Sequence, residues 1–154
     1  MKLATLVMAL AAALAARPAW AQTCSVSSSG ASFGTYDTLA AGSTDTAGTV
    51  TVTCMSAATV NVSYSVQLGT GQSGNSLARI MTSNAASLAY QLYVDALHSQ
   101  IWGDGTGGTA TISDSYVLPG TTTRKNYNLY GSMPARQRVK AGSYSDSVLI
   151  TVIY

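Results

Sequence analysis

The stretch "TVNVSYSVQL", residues 59–68, alternates polar and apolar side chains along its whole length. Its apolar positions are Val60, Val62, Tyr64, Val66 and Leu68. Successive side chains of a β-strand point to opposite faces of a sheet. This period of two therefore predicts a strand with one face in a core and the other face in water.

The same period recurs along the chain, and no segment after residue 21 shows sustained helical periodicity. Further strands are predicted at "GTVTVTC" (48–54), "LAYQLYVDA" (88–96), "YNLYGSM" (127–133), the weaker stretch 109–118 and the C-terminal stretch 144–154. The predicted core residues are Val50, Val52, Cys54, Leu88, Tyr90, Leu92, Val94, Tyr127, Leu129 and Met133. About six strands joined by Gly-rich and Ser-rich turns predict an all-β fold, a single antiparallel β-sandwich.

The first 21 residues have the features of a secretory signal peptide. Lys2 is followed by an apolar run, and Ala19-Trp20-Ala21 has the small-x-small pattern of a cleavage site. The run is too short for a transmembrane helix, and no later stretch is long enough to span a membrane. We expect a mature domain at 22–154, exported through the periplasm to the cell surface, to a fimbria or to the medium.

The charge of the expected mature chain excludes one class of partner. Removal of 1–21 takes away Lys2 and Arg17, which leaves six basic residues against six aspartates and no glutamate. A chain with so few charges and no excess of one sign lacks the basic surface that binds nucleic acid.

Two cysteines, Cys24 and Cys54, lie in the mature part. An exported chain meets an oxidising compartment, so an intramolecular disulfide is expected. Their spacing matches no zinc pattern, and the single histidine, His98, has no obvious second ligand. We therefore expect no metal site.

The C-terminal stretch predicts an apolar strand that is open to a partner. On one face lie Val148, Ile150, Val152 and Tyr154, and on the other lie Leu149 and Ile153. Edge strands are usually protected by charge or by proline, whereas here Asp146 is the only charge after Lys140. The alternative is that the first strand, or its continuation through Phe33, covers this edge.

Five stretches taken together carry a family resemblance: "CSVSSSGASFGTYD", "GTVTVTC", "LAYQLYVDA", "IWGDGTGGT" and "YGSMPARQRVKAGSYSDSVLITVIY". In this order, and with the two cysteines, they resemble the spore coat protein U domain, which is similar to the pilins of archaic chaperone–usher fimbriae. The resemblance implies an incomplete immunoglobulin-like sandwich of six strands, with the seventh strand supplied in trans, and a Cys24–Cys54 disulfide that ties the first strand to the second. The implied partners are a periplasmic chaperone, an outer-membrane usher and other pilin-like subunits.

One departure from the family pattern concerns the start of the mature chain. Only Gln22 and Thr23 separate the predicted cleavage site from Cys24, which is too short for a strand that completes a neighbouring subunit. We therefore expect a chain that accepts a donor strand without supplying one in the usual place. It is either a terminal or minor subunit, or a coat protein that does not polymerise in this way.

No constellation of catalytic residues is visible, so neither an enzyme nor a cofactor is expected. The loop "WGDGTGG" is a possible ligand site, with Trp102 to stack on a sugar and Asp104 to bind a cation, although a packed turn is favoured. The sequence predicts a structural subunit of a fimbria-like surface assembly with a role in adhesion and biofilm formation. The alternative is a standalone secreted coat protein or a lectin-like adhesin.

Overall fold

The computed structural model describes residues 22–84 and 86–154, so the predicted signal peptide at 1–21 lies outside the described residues. The strands are β1 (Thr23–Ser28), β2 (Thr44–Met55), β3 (Thr59–Leu68), β4 (Arg79–Ser83), β5 (Ala86–Tyr93), β6 (Ile112–Pro119), β7 (Thr122–Met133) and β8 (Ile150–Ile153). One 3-10 turn, Gly71–Ser73, is the only helical element of this part. Within the same residues, no helix is long and apolar enough to cross a membrane.

The strands form two antiparallel sheets packed face to face. The larger sheet has the order β1-β2-β7-β5-β4, and the smaller one has the order β6-β3-β8. This arrangement confirms the predicted all-β sandwich. All six predicted strands are present, and β1 and the short β4 raise the total among the described residues to eight.

The core lies between the sheets, where the alternation predicted it. Its fully buried members include Val50, Val52, Cys54, Val62, Val66, Leu68 and Leu118. Val94 and Tyr127, which were also predicted as core residues, are only half-buried and pack at its margin. The Cys24–Cys54 disulfide is confirmed, and it joins directly paired positions of β1 and β2.

The C-terminal strand is shorter than predicted. Its ladder with β3 runs from Ile150, opposite Leu68, to Ile153, opposite Ser65. The preceding residues are held elsewhere, because Ser145 exchanges backbone hydrogen bonds with Thr82 of β4 at 2.9 and 3.2 Å. The strand prediction from residue 144 was therefore too long at its start.

The segment after β1 crosses the inner face of the larger sheet. The Ser29 N–H donates to the Thr49 carbonyl at 3.0 Å, and the Thr46 hydroxyl donates to the Ser32 carbonyl at 2.7 Å. The Phe33 ring packs edge-on against Tyr90, with 5.9 Å between the centroids. A Cβ at Gly131 would lie 2.7 Å from the Phe33 ring, so the crossing needs glycine there.

This crossing bears on whether the first strand covers β8. Among the described strands, β8 pairs with β3 alone. The segment through Phe33 packs on the larger sheet and faces the β8 side across an open groove. Neither β1, which lies near β8, nor this segment pairs with β8, so the structure does not show the alternative in which they form its neighbouring strand.

Candidate functional site

An open groove runs along one side of the sandwich. One wall is the crossing segment, residues 28–38, and the other wall is formed by residues 139–150. The floor consists of core side chains from β4, β5 and β7: Met81, Leu88, Tyr90, Leu92, Leu129 and Met133. Two adjoining cavities of about 1090 and 280 Å³ make up the groove, and they share the lining residues Ala31, Phe33, Met81 and Asp146.

The smaller cavity is lined mainly by apolar side chains. It contains Leu68, Leu92 and Leu129 from three different strands, together with Val148 and Ile150 from the wall. Leu149 and Ile153 point the other way, with 72% and 53% of their surfaces exposed. The chain thus leaves a row of apolar side chains beside a strand edge that has no partner in the described part.

The predicted groove residues fall into two groups. Val148, Ile150 and Val152 are half-buried and pack against the core. The remaining three, Leu149, Ile153 and Tyr154, are exposed. The groove also takes in the walls 28–38 and 139–146, which the sequence did not single out.

Asp146 is the one charged residue among the half-buried side chains of the wall at 139–150. Its Oδ1 accepts hydrogen bonds from the backbone N–H groups of Gln72, at 2.8 Å, and Ser147, at 2.7 Å. Its Oδ2 accepts a hydrogen bond from the Tyr90 hydroxyl at 2.6 Å. Burial, together with this bond to a carboxylate, raises the pKa of Tyr90.

Arg79 at the start of β4 is fully buried behind the groove. Its guanidinium donates to the carbonyls of Gly69, Ser76 and Trp102 and to the side-chain oxygen of Gln91, at 2.6–3.3 Å. Burial lowers the pKa of Arg79, although the charge of Asp146 partly opposes this effect. The side chain joins two loops to β5, and nothing in the sequence pattern distinguished it from a solvated arginine.

The loop that suggested a ligand site has a different role. The Trp102 side chain is fully buried, and its indole N–H donates to the Val66 carbonyl at 3.0 Å. The ring therefore has no exposed face on which a sugar could stack. Asp104 accepts hydrogen bonds from the Thr106 N–H and hydroxyl at 2.9 and 2.7 Å, and these bonds lower the pKa of its carboxyl.

Several other titratable side chains form structural contacts. The Tyr64 and Tyr127 hydroxyls lie 2.6 Å apart, and Tyr127 donates to Asp114 at 2.7 Å, which links the two sheets. Burial raises the pKa of Tyr64 to about 12. The His98 ring lies against Tyr93, with 4.8 Å between the centroids. No group of possible metal ligands occurs among the residues that the structure describes.

Comparisons with known proteins agree with this fold. The family model for the Spore Coat Protein U domain matches residues 10–151. The chain is 32% identical over 132 residues to "Protein U" of Myxococcus xanthus, a match that covers 79% of this chain and 70% of that protein.

A solved structure shares the architecture. It is the crystal structure of the CsuC-CsuE chaperone–tip adhesion subunit pre-assembly complex from the archaic chaperone–usher Csu pili of Acinetobacter baumannii. The TM-score is 0.55 at 24% identity, and the match covers 87% of this chain. The chain spans only 40% of the chain that it matches there, so the likeness concerns the fold.

Proposed function

Because the chain belongs to the Spore Coat Protein U domain family, we propose that it is an exported, non-enzymatic structural subunit of a fimbria-like surface assembly. Its groove accepts a β-strand from another chain. The observation that carries this proposal is the apolar groove beside the unpaired edge of β8. The proposed role of the assembly is surface adhesion and biofilm formation.

The groove has the two features that strand addition requires. Backbone N–H and C=O groups on the free edge of β8 pair with the main chain of the incoming strand, and its alternate side chains enter the cavities. Inward side chains of a strand recur about every 7 Å. Val148 and Ile150 present apolar surface at this spacing, and Leu129 and Leu92 form the floor beneath them.

The donor strand comes from a periplasmic chaperone before assembly and from a neighbouring subunit afterwards, at an outer-membrane usher. The solved relative is a chaperone–tip adhesion subunit pre-assembly complex, and this supports a chaperone as the first partner. Passage through the periplasm agrees with the Cys24–Cys54 disulfide, which forms in an oxidising compartment.

A strand supplied in cis tests the proposal directly. The chain is expressed in a bacterial periplasm with an extension after Tyr154, made of an Asn-Gly turn and a strand of about seven residues. In the test version, the residues that face the groove are valine and leucine. In the matched control they are aspartate, and the turn and the outward residues are unchanged.

The apolar extension is expected to raise the free energy of unfolding by about 1.5–3 kcal/mol for each side chain that it buries. Urea denaturation and the yield of monomer measure the effect, and the aspartate control is expected to give no gain. Equal stability of both versions would contradict the proposal. So would an unextended chain that is already as stable as the version with the apolar extension.

A further inference from the structure

On the groove wall at 139–150 and along β8, every second side chain from residue 144 to residue 152 points inward, and one of these positions is charged. Tyr144, Asp146, Val148, Ile150 and Val152 follow one another at the period of a strand, and all five are half-buried. Asp146 lines both cavities of the groove, whereas Val148 and Ile150 line only the smaller one. A strand in the groove therefore has to pass a carboxylate that lies between the mainly apolar smaller cavity and the larger cavity, whose lining also includes Asp37, Lys140 and hydroxyl side chains.

The carboxylate is held in place and retains hydrogen-bonding capacity. It accepts three hydrogen bonds from protein groups, two at Oδ1 and one at Oδ2. A carboxylate offers about four acceptor positions, so one position has no donor among the described residues, and Oδ2 also lies close to the Gly71 backbone.

A bound strand would exclude water from this acceptor. The donor residue opposite Asp146 then decides whether the acceptor has a hydrogen-bond partner. An apolar side chain would bury the open acceptor without a partner, which is costly. A cationic side chain would also donate to the acceptor, but a second ionised group would then have to be desolvated in the groove. A neutral hydroxyl or amide satisfies the acceptor without adding charge.

We propose that Asp146 sets the register of the incoming strand by accepting a hydrogen bond from a hydroxyl or amide side chain at the inward position opposite it. Apolar side chains lie two residues before and two residues after that position. This inference rests on the proposed strand-accepting function, and it adds the chemistry of the donor segment.

Apolar floor residues lie on both sides of Asp146 and can contact the apolar flanks. Leu68, Leu92 and Leu129 surround the smaller cavity, and Leu88 and Met133 lie under the larger one. A slip of one residue turns every donor side chain to the wrong face. A slip of two residues places an apolar side chain on Asp146, so this one polar position distinguishes registers that period two alone leaves equivalent.

Synthetic peptides with a terminal fluorophore test the inference on the complete chain purified from the periplasm. Each peptide has threonine at its outward positions and valine at its inward positions, except that the central inward residue is serine, valine or lysine. Fluorescence anisotropy gives Kd for each peptide. The chains compared are the wild type, Asp146→Val and the control Thr151→Val, which changes an exposed residue on the outward face of β8.

The serine peptide is expected to bind the wild type and Thr151→Val roughly 5- to 150-fold more tightly than the valine peptide, from the usual penalty for one unpaired buried acceptor. Asp146→Val is expected to remove or invert this ratio. If Asp146 were only structural, its replacement would weaken all peptides by the same factor, and the inference would be wrong. Equal binding of the serine and valine peptides by the wild type would overturn it as well, even if Asp146→Val did not fold.

The same experiment separates the inference from the proposed function. If peptides bind with no preference at the central position, the groove accepts strands and only the role of Asp146 fails. If no peptide binds the wild type, the strand-accepting function itself fails.

Discussion

Arg79 provides the sharpest test of how the fold is held together behind the groove. Its side chain is fully buried, and it supplies the hydrogen bonds that the Gly69 and Trp102 carbonyls make in the described part. We expect Arg79→Met to lower the free energy of unfolding by about 2–5 kcal/mol, since each unpaired buried acceptor costs about 1–3 kcal/mol. Methionine keeps an unbranched apolar stem in the same space, so the loss reports mainly on the hydrogen bonds.

The variant Arg79→Lys separates charge from geometry. An ammonium group cannot reproduce the fork of donors that reaches four acceptors, so this variant is also expected to be destabilised. Burial would lower the pKa of the lysine, so the folded state would bind fewer protons than the unfolded state. The stability of Arg79→Lys relative to the wild type is therefore expected to rise between about pH 7 and pH 9.

Urea denaturation followed by the fluorescence of the buried Trp102 measures both variants. A loss for Arg79→Met within about 0.5 kcal/mol, the usual range for surface substitutions, would refute the assignment of Arg79 as the residue that holds the loops. A stability difference between Arg79→Lys and the wild type that does not change with pH would show that the lysine reaches water.

Three further predictions follow from the structure. Replacing Cys24 and Cys54 by serine opens a loop with a sequence separation of 30, which should cost about 3–4 kcal/mol; an unchanged urea midpoint would contradict this. Tyr64, with its pKa raised to about 12, should contribute stability fully below about pH 10 and lose it as the pH rises towards 12, so flat urea midpoints across that range would count against it. Gly48→Ala drives a Cβ into the backbone of the segment after β1 and should cost about 1–3 kcal/mol, whereas Gly42→Ala, with open space around it, should cost little; equal urea midpoints for the two variants would be the contrary result.

The parts of the fold that sequence reasoning predicted well are the half-buried strands. In β3 every second side chain faces the opposite sheet. The alternation of polar and apolar residues therefore predicts the burial of Val62, Tyr64, Val66 and Leu68. The start of the C-terminal strand could not be predicted in this way. Its position depends on hydrogen bonds from Ser145 to β4 and from Gln72 to Asp146, and alternation carries no information about such distant partners.

The groove was predicted from its β8 side only. Its other wall, residues 28–38, is Gly- and Ser-rich and has no periodic pattern, because it crosses the sheet instead of pairing along it. Its path depends on the lack of a side chain at Gly48 and Gly131, two positions far apart in sequence. Trp102 agrees with the favoured expectation of a packed turn, because its ring is fully buried in the core and offers no surface for a ligand.

The two sides of the sandwich are held by different interactions. This difference explains why a bound strand would stabilise the groove side. The β1 side has the disulfide and a continuous apolar core. In the wall at 28–38, Ala31, Phe33 and Tyr36 pack against the core margin, and polar contacts hold it as well, such as the bonds of the Tyr36 hydroxyl to the Pro134 carbonyl, at 2.6 Å, and from the Gln137 N–H, at 2.9 Å. Such contacts exchange with water and each adds little net free energy. Opening of the free chain should therefore begin at the groove, and a strand that fills it adds apolar burial at that place.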